Sequence, residues 1–371
     1  MVAIPGGSQG HCRFQGSGML KPVTREAGRS PEKEGRAAVT PVRLAIAAGQ
    51  YDSTRALFDG SVAIEGAEVT MRTGRTLPEI FERMMRQREF DVCELGWTFY
   101  LRGFGADTPY LALPVFPNRV FRHSCVFVSR QAGIAGPQDL TGKTIGEFGV
   151  YGQDSGVWAK GILADDYGFR PEANRWVVGG LDAPSAPFGF VPQIRPDGID
   201  IADAPKDRSL AQMLESGEID ALFTANVPQS VLDGTAKNIV RLFPDYEPVE
   251  RDYYRRTGIY PMMHPVVMRK DLLAVHPGLA RAVYAGFLRA KEAAEQRYEH
   301  ARRLFGATLL LPWADQLLER NAEFFPADWW PYGTRANRHA IDTYLRYHHE
   351  QGLSARRLTV DEVLVPDLLG T

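Results

Sequence analysis

The alternation that begins at Pro41 constrains the fold more than any other feature of the chain. Apolar runs of strand length take turns with stretches of helical periodicity, a pattern that buries its strands in mostly parallel sheets covered by helices. Val42 to Ala48 (VRLAIAA) is the first run, Gly49-Gln50-Tyr51-Asp52 is a turn, and Asp52 or Ser53 can cap a helix reaching Phe58. A strand follows around Val69 to Arg72. Leu77 to Arg88 then sets Leu77, Ile80, Phe81, Met84 and Met85 on one helical face with charges opposite. Phe90 to Leu95 is the next strand and ends at Gly96-Trp97.

The segment Pro109 to Arg122, rich in proline and aromatics, reads as a crossing that leads into the strand-like run Ser124 to Ser129. A second set of elements follows: 136 to 148, a helix capped by Asp154 or Ser155 and running to about Tyr167, the strand Trp176 to Val178, the helix Leu210 to Ser216 and the strand Ile219 to Thr224. Leu181 to Lys206, rich in Pro, Gly and Asp, reads as loop or hairpin. The chain is expected to return to the first set near Tyr260 to Met268, because the remainder is helical (279 to 293, 313 to 324, 335 to 351) and needs a sheet to cover. At 371 residues the chain suits two lobes better than one small core. The expected division is 41–124 plus 265–371 for lobe 1 and 125–264 for lobe 2, with a ligand cleft between them.

Composition narrows the partners. Lys plus Arg is 43 against Asp plus Glu 45, so the net charge of -2 leaves no basic excess for a nucleic-acid backbone. No stretch approaches the roughly 18 apolar residues of a membrane helix. Residues 1–40 carry Gly, Ser, Pro, Arg and Glu without periodicity and read as a disordered tail. Gly6, Gly7, Ser8 and Gln9 interrupt any apolar run after Met1, so export is not expected. Cys12, Cys93 and Cys125 form no CxxC, which fits a reducing compartment and places the protein in the cytoplasm. Homo-oligomerisation is left open.

Two turns can offer unpaired N–H groups and a helix dipole to an anion: Gly49-Gln50-Tyr51-Asp52-Ser53 and Tyr151-Gly152-Gln153-Asp154-Ser155. Taken singly, each reads as a plain capped helix; as a pair on opposite lobes they gain weight. The candidate ligand contacts among them are Gln50, Tyr51, Asp52, Tyr151, Gln153 and Ser155. Neither turn is a GxGxxG or GxxxxGK[ST] nucleotide loop. The segment 117–124 (PNRVFRHS) concentrates Arg119, Arg122 and His123. Arginine forks suit carboxylates, although solvated surface arginines fit the spacing as well. His264 is fixed in extended backbone by Pro265 and is a candidate general acid or base, and His348-His349 reads as solvent-facing. Glu94, Trp97 and Thr224 end strand runs and join the candidate ligand contacts. No HxH, HExxH or Cys/His cluster suggests a metal, and no GxSxG suggests acyl chemistry.

The segments DLTGKTIGEF (139–148) and SGEIDALFTA (216–225), with the two crossings, resemble type II periplasmic-binding-protein folds. Within that group FRHS (121–124), LFPDY (242–246) and DYYRRTGIYPMMHPVVMRKD (252–271) resemble the 4,5-dihydroxyphthalate decarboxylase family, over residue 41 to the late 340s. The resemblance implies a cytoplasmic carboxy-lyase with no organic cofactor, which converts 4,5-dihydroxyphthalate to 3,4-dihydroxybenzoate and CO2. Applied to this sequence, that chemistry assigns Arg119 and Arg122 to the carboxylates, His264 to proton donation with His123 as competitor or phenol partner, and Asp52 or Glu94 to a phenol hydrogen bond. The competing reading is a non-catalytic solute-binding protein for a small anion, since fold alone does not separate the two.

Overall fold

The first apolar run becomes strand β1 (Val42–Ala47), an inner strand of a five-stranded sheet. This computed structural model describes residues 40–306 and 309–371, so the expected tail at 1–40 lies outside the described residues apart from Thr40. The other strands are β2 (Ala67–Arg72), β3 (Val92–Glu94), β4 (Tyr110–Arg119), β5 (Val126–Ser129), β6 (Thr144–Phe148), β7 (Arg175–Gly179), β8 (Asp200–Asp203), β9 (Ala221–Phe223), β10 (Ile239–Arg241) and β11 (Met262–Arg269). The helices are α1 (Arg55–Phe58), α2 (Leu77–Gln87), α3 (Trp97–Leu101), α4 (Asp154–Tyr167), α5 (Leu210–Ser216), α6 (Gln229–Leu232), α7 (Tyr246–Thr257), α8 (Lys270–Val275), α9 (Leu279–Arg303), α10 (Ala314–Phe324), α11 (Thr334–Glu350) and α12 (Val360–Val363).

The first sheet has the order β2-β1-β3-β11-β4 and the second the order β10-β5-β9-β6-β7-β8. In each, the strands followed by helices pair in parallel (β1 with β2 and β3; β6 with β7 and β9), and the strands that carry the chain between sheets pair antiparallel. The two passages between sheets are β4 to β5 and β10 to β11. The first, the proline-rich segment read as a crossing, contains a ten-residue strand. Pro114 and Pro117 are tolerated because β4 is the edge of its sheet and needs ladder bonds on one side only. The return strand begins at Met262, three residues before the expected boundary, so His264 belongs to the first sheet.

Helix α2 starts where Thr76 accepts the Glu79 N–H and Pro78 fits the first turn. Ile80, Phe81 and Met84 are buried, while Met85 is half-buried. Helix α4 is apolar nearly all round (Val157, Trp158, Ile162 and Leu163 are buried) because it lies between the second sheet and α11. The Gln351 side chain at the end of α11 donates to the Val157 carbonyl, and Tyr347 and Arg346 hold Asp165. The C-terminal helix expected to cover the first lobe therefore also clamps α4. His348, expected to face solvent, is buried at 1% exposure, and burial pushes its pKa down to about 3. No helix among the described residues is long and apolar enough to cross a membrane.

Candidate active site

A cleft of about 710 Å³ opens where the amino ends of α2 and α4 meet β11 and the chain passing from β4 to β5. Its largely apolar walls, with Phe81, Phe99, Phe148 and Phe188 among them, suit a flat aromatic ligand. Phe188 stands edge-on to Phe148 at 5.5 Å and to Phe99 at 6.2 Å, so the wall is a set of flat, rigid surfaces.

His264 is the imidazole of this cleft. The pairing of β11 with β4 shifts register on both sides of His264, which stands opposite Asn118, and a bulge of this kind re-aims a side chain out of the regular pleat. Nδ1 lies 2.7 Å from Glu94 Oε1, which leaves Nε2 for the cleft. Glu94 is fully buried. It also accepts the Tyr51 hydroxyl at 2.8 Å and the Gly49 N–H at 2.8 Å, so three donors converge on one carboxylate. Burial, then the charge of Glu94, raises the Tyr51 phenol far above its ordinary range, and Tyr51 stays a neutral donor. Glu94 and Tyr51 thus sit behind the imidazole and are not among the residues that line the cleft.

Arg122 supplies the cation. It is 4% exposed and lines the cleft, and among the described residues its Nε and Nη1 donate only to Met263 Sδ at 3.0 Å and Cys125 Sγ at 3.2 Å. Sulfur is a weak acceptor, so a buried guanidinium so partnered keeps most of its affinity for an oxygen anion. Opposite it, Gln153, Asp154 and Ser155 form the start of α4, a fourteen-residue helix whose first-turn N–H groups and dipole face the cleft. Gln153 donates to Ser155 Oγ.

The turn before α4 is anchored from beneath. Glu147 accepts the Gly152 N–H at 3.0 Å and pairs with Lys160 at 2.6 Å, both side chains fully buried. Burial raises the Glu147 pKa and lowers that of Lys160, and the mutual charge opposes both shifts. Arg102 donates to the Tyr151 and Gly152 carbonyls, and Thr98 Oγ1 donates to the Gly152 carbonyl at 2.7 Å. Gly152 itself sits at φ +73°, where a Cβ would also strike Leu353.

Several expected contacts lie elsewhere. Arg119 is committed to the fold: Nη1 donates to the Tyr260 carbonyl at 2.9 Å, and Nη2 to the Pro331 carbonyl at 2.7 Å and to Asn337 Oδ1, which ties the C-terminal segment to β4. His123 is packed between the edges of Phe243 and Tyr253, and neither ring nitrogen has a hydrogen-bond partner among the described residues. Burial pushes its pKa down to about 4, so it is a neutral core residue. Trp97 is fully buried against Phe116 and Tyr344. Tyr151 is buried against Trp176, with the Lys160 ammonium 4.1 Å from its ring centroid. Gln50 and Asp52 are exposed beside a separate recess, and Asp52 accepts the Tyr298 hydroxyl. Thr224 is buried and bonds Asn226, and it is Ala225 and Asn226 that reach the cleft. Arg75, Asn118 and Asp154 line the cleft without having been expected there as ligand contacts. Asp154 alone carried a signal, its place at a helix start.

No protein-family model matches the chain. A 4,5-dihydroxyphthalate decarboxylase of Comamonas testosteroni is 34% identical over 329 residues, which cover 88% of this chain and 98% of that protein. The chain belongs to the 4,5-dihydroxyphthalate decarboxylase family. A second protein of that name, from Pseudomonas putida, is 34% identical over 215 residues, 58% of this chain and 82% of its own length. Among solved structures, a periplasmic sulfonate-binding protein of Methylobacillus flagellatus aligns with a TM-score of 0.51 at 14% identity, covering 89% of this chain and 93% of its own. The family member thus carries the two-lobed α/β fold of periplasmic binding proteins, as its sequence led one to expect, and its family name makes it a carboxy-lyase.

Proposed function

We propose that this chain removes CO2 from 4,5-dihydroxyphthalate to give 3,4-dihydroxybenzoate, with the reaction centred on Arg122 and His264. The observation that carries the reading is their conjunction in one aromatic-walled cleft: a buried guanidinium whose hydrogen-bond partners among the described residues are sulfur atoms, beside an imidazole held by a carboxylate. Direct loss of CO2 from an arene would leave an sp2 carbanion with no electron sink. Protonating the ring carbon first avoids it, because the hydroxyl para to that carbon pushes electron density onto it and the ring becomes dienone-like. CO2 then departs as aromaticity returns.

The reaction needs an anchor for the retained carboxylate, and Arg122 with the amino end of α4 supplies it. It also needs proton transfer with the bound substrate. His264 is positioned for it, since Glu94 holds Nδ1 and directs Nε2 into the cleft. A positioned acid or base is typically worth on the order of 10² to 10⁴ in rate, so His264→Ala loses about that much in kcat. The proposal includes a cytoplasmic location, supported by Cys93 and Cys125 remaining unpaired thiols and tested by cell fractionation.

The experiment is to incubate the purified, chelator-treated chain with 4,5-dihydroxyphthalate and resolve the products by chromatography. Formation of 3,4-dihydroxybenzoate supports the reading. Tight binding without product, even after divalent cations are restored, replaces it with the solute-binding role.

A further inference from the structure

Decarboxylation by ring protonation has two proton events, one at the phenol oxygen and one at the ring carbon, and His264 is a single group. Asp154 is a second one in the same cleft. It is 3% exposed, stands in the first turn of α4 and lines the cavity with His264 and Arg122. Its Oδ1 accepts the Thr98 N–H at 2.7 Å and the Tyr344 hydroxyl at 3.1 Å. Its Oδ2 has no hydrogen-bond partner among the described residues and lies over Gly96, where a Cβ would collide with it. The carboxyl is therefore gripped through one oxygen, and the other is left to carry a proton.

Two donors and a helix amino end favour the carboxylate, whereas burial favours the acid. Burial is the larger influence and shifts the Asp154 pKa upward. The titratable and charged groups that face it are His264 on β11, Arg122, Arg102 at the end of α3 and Tyr344 on α11. A dicarboxylate entering the cleft adds like charge and moves Asp154 further toward the acid.

We infer that Asp154 is the acid that protonates the ring carbon, while His264, backed by Glu94, exchanges the proton of the phenol. The inference rests on the decarboxylase reading above. His264 Nε2 takes the phenol proton as electron density moves to the para carbon. The O–H bond of Asp154 breaks and a C–H bond forms at that carbon. The bond to the departing carboxylate then breaks, its electron pair restores the aromatic ring, and CO2 leaves. The imidazolium returns its proton to the oxygen and solvent reprotonates Asp154, so one proton is consumed for each CO2 released.

Asp154→Asn keeps an acceptor for Thr98 and Tyr344 and removes the acid. The expected result is a loss of kcat on the order of 10² to 10⁴, with the dissociation constant for 4,5-dihydroxyphthalate changed by no more than about 3-fold. In the wild type kcat/KM falls as pH rises and Asp154 ionises; that limb disappears in the Asn variant. Tyr344→Phe provides an independent test in a chain with the acid intact: losing one donor to the carboxylate destabilises the anion, so the high-pH limb moves upward. An Asn variant with kcat within 10-fold of wild type, or a limb that stays in place in Tyr344→Phe, overturns the assignment while leaving the decarboxylase reading standing. A wild-type chain that binds 4,5-dihydroxyphthalate and releases no 3,4-dihydroxybenzoate overturns both.

Discussion

The turns at 49–53 and 151–155 look alike in sequence, each with Gly, Gln, Tyr, Asp and Ser leading into a helix, yet they do opposite things. The first turns inward on its own lobe. Gly49 N–H and the Tyr51 hydroxyl both go to Glu94, Thr54 closes the turn through the Gly49 carbonyl, and the helix that follows is only the four-residue α1. The second spends its carbonyls and one N–H on Arg102, Thr98 and Glu147 beneath it, which leaves Gln153, Asp154 and Ser155 at the cleft ahead of a long helix. What separates them is the chain packed behind each turn, not the turn. In the proposed reaction the first turn acts indirectly by fixing Glu94, and the second is the one expected to meet the ligand.

Removing Glu94 breaks the first arrangement most severely. Glu94→Ala releases His264 Nδ1 and strands the Tyr51 hydroxyl, so kcat falls roughly 10²-fold or more with little change in KM; steady-state kinetics separate the two. Arg122→Ala removes charge-assisted bonds to a carboxylate worth about 1.5–3 kcal/mol, so affinity for 4,5-dihydroxyphthalate drops roughly 10- to 150-fold in calorimetry. The direct contrast of the turns is smaller. Ser155→Ala weakens substrate binding several-fold, about what one neutral hydrogen bond contributes, and Asp52→Ala leaves binding and turnover unchanged. Equal losses from the two would mean that both turns meet the ligand.

His123 sharpens the comparison from outside the cleft. With a folded-state pKa of about 4 against about 6.5 when unfolded, it binds its proton more readily in the unfolded chain. Its share of stability is intact above pH 6.5 and is lost as pH falls toward 4, by on the order of 3 kcal/mol at most. His348, held lower still, acts in the same direction, so the acid sensitivity is shared. His123→Leu is expected to leave turnover within about two-fold and to raise the melting temperature more at pH 5 than at pH 8.

Strands such as β1, β5 and β9 were legible because they are apolar runs, and α2 because its period is clean, whereas the polar β8 fell in the 181–206 stretch read as loop or hairpin and β10 gave too short a run to be read. Strand β4 was not legible either, since Pro114 and Pro117 argue against a strand until its edge position is known. Of the cleft lining, His264, where Pro265 marks a constrained backbone, and Arg122 could be picked out from the sequence. The spacing of 117–124 could not show that Arg119, Arg122 and His123 point to three different places: a C-terminal strut, the cleft and an aromatic pocket. Asp154 passed for a helix cap because a first-turn carboxylate looks the same whether or not a cleft lies over it. Glu94 was read as a ligand contact, whereas its side chain is engaged by the His264 imidazole, Tyr51 and Gly49.

The most direct test of the division between the turns is a crystal structure of the His264→Gln variant with 4,5-dihydroxyphthalate bound. One carboxylate within hydrogen-bond distance of the Arg122 guanidinium, the ring among Phe81, Phe99 and Phe188, and no ligand atom touching residues 49–53 is the result expected. A carboxylate seated on the Gly49–Ser53 turn, with Arg122 still facing only sulfur, would contradict it.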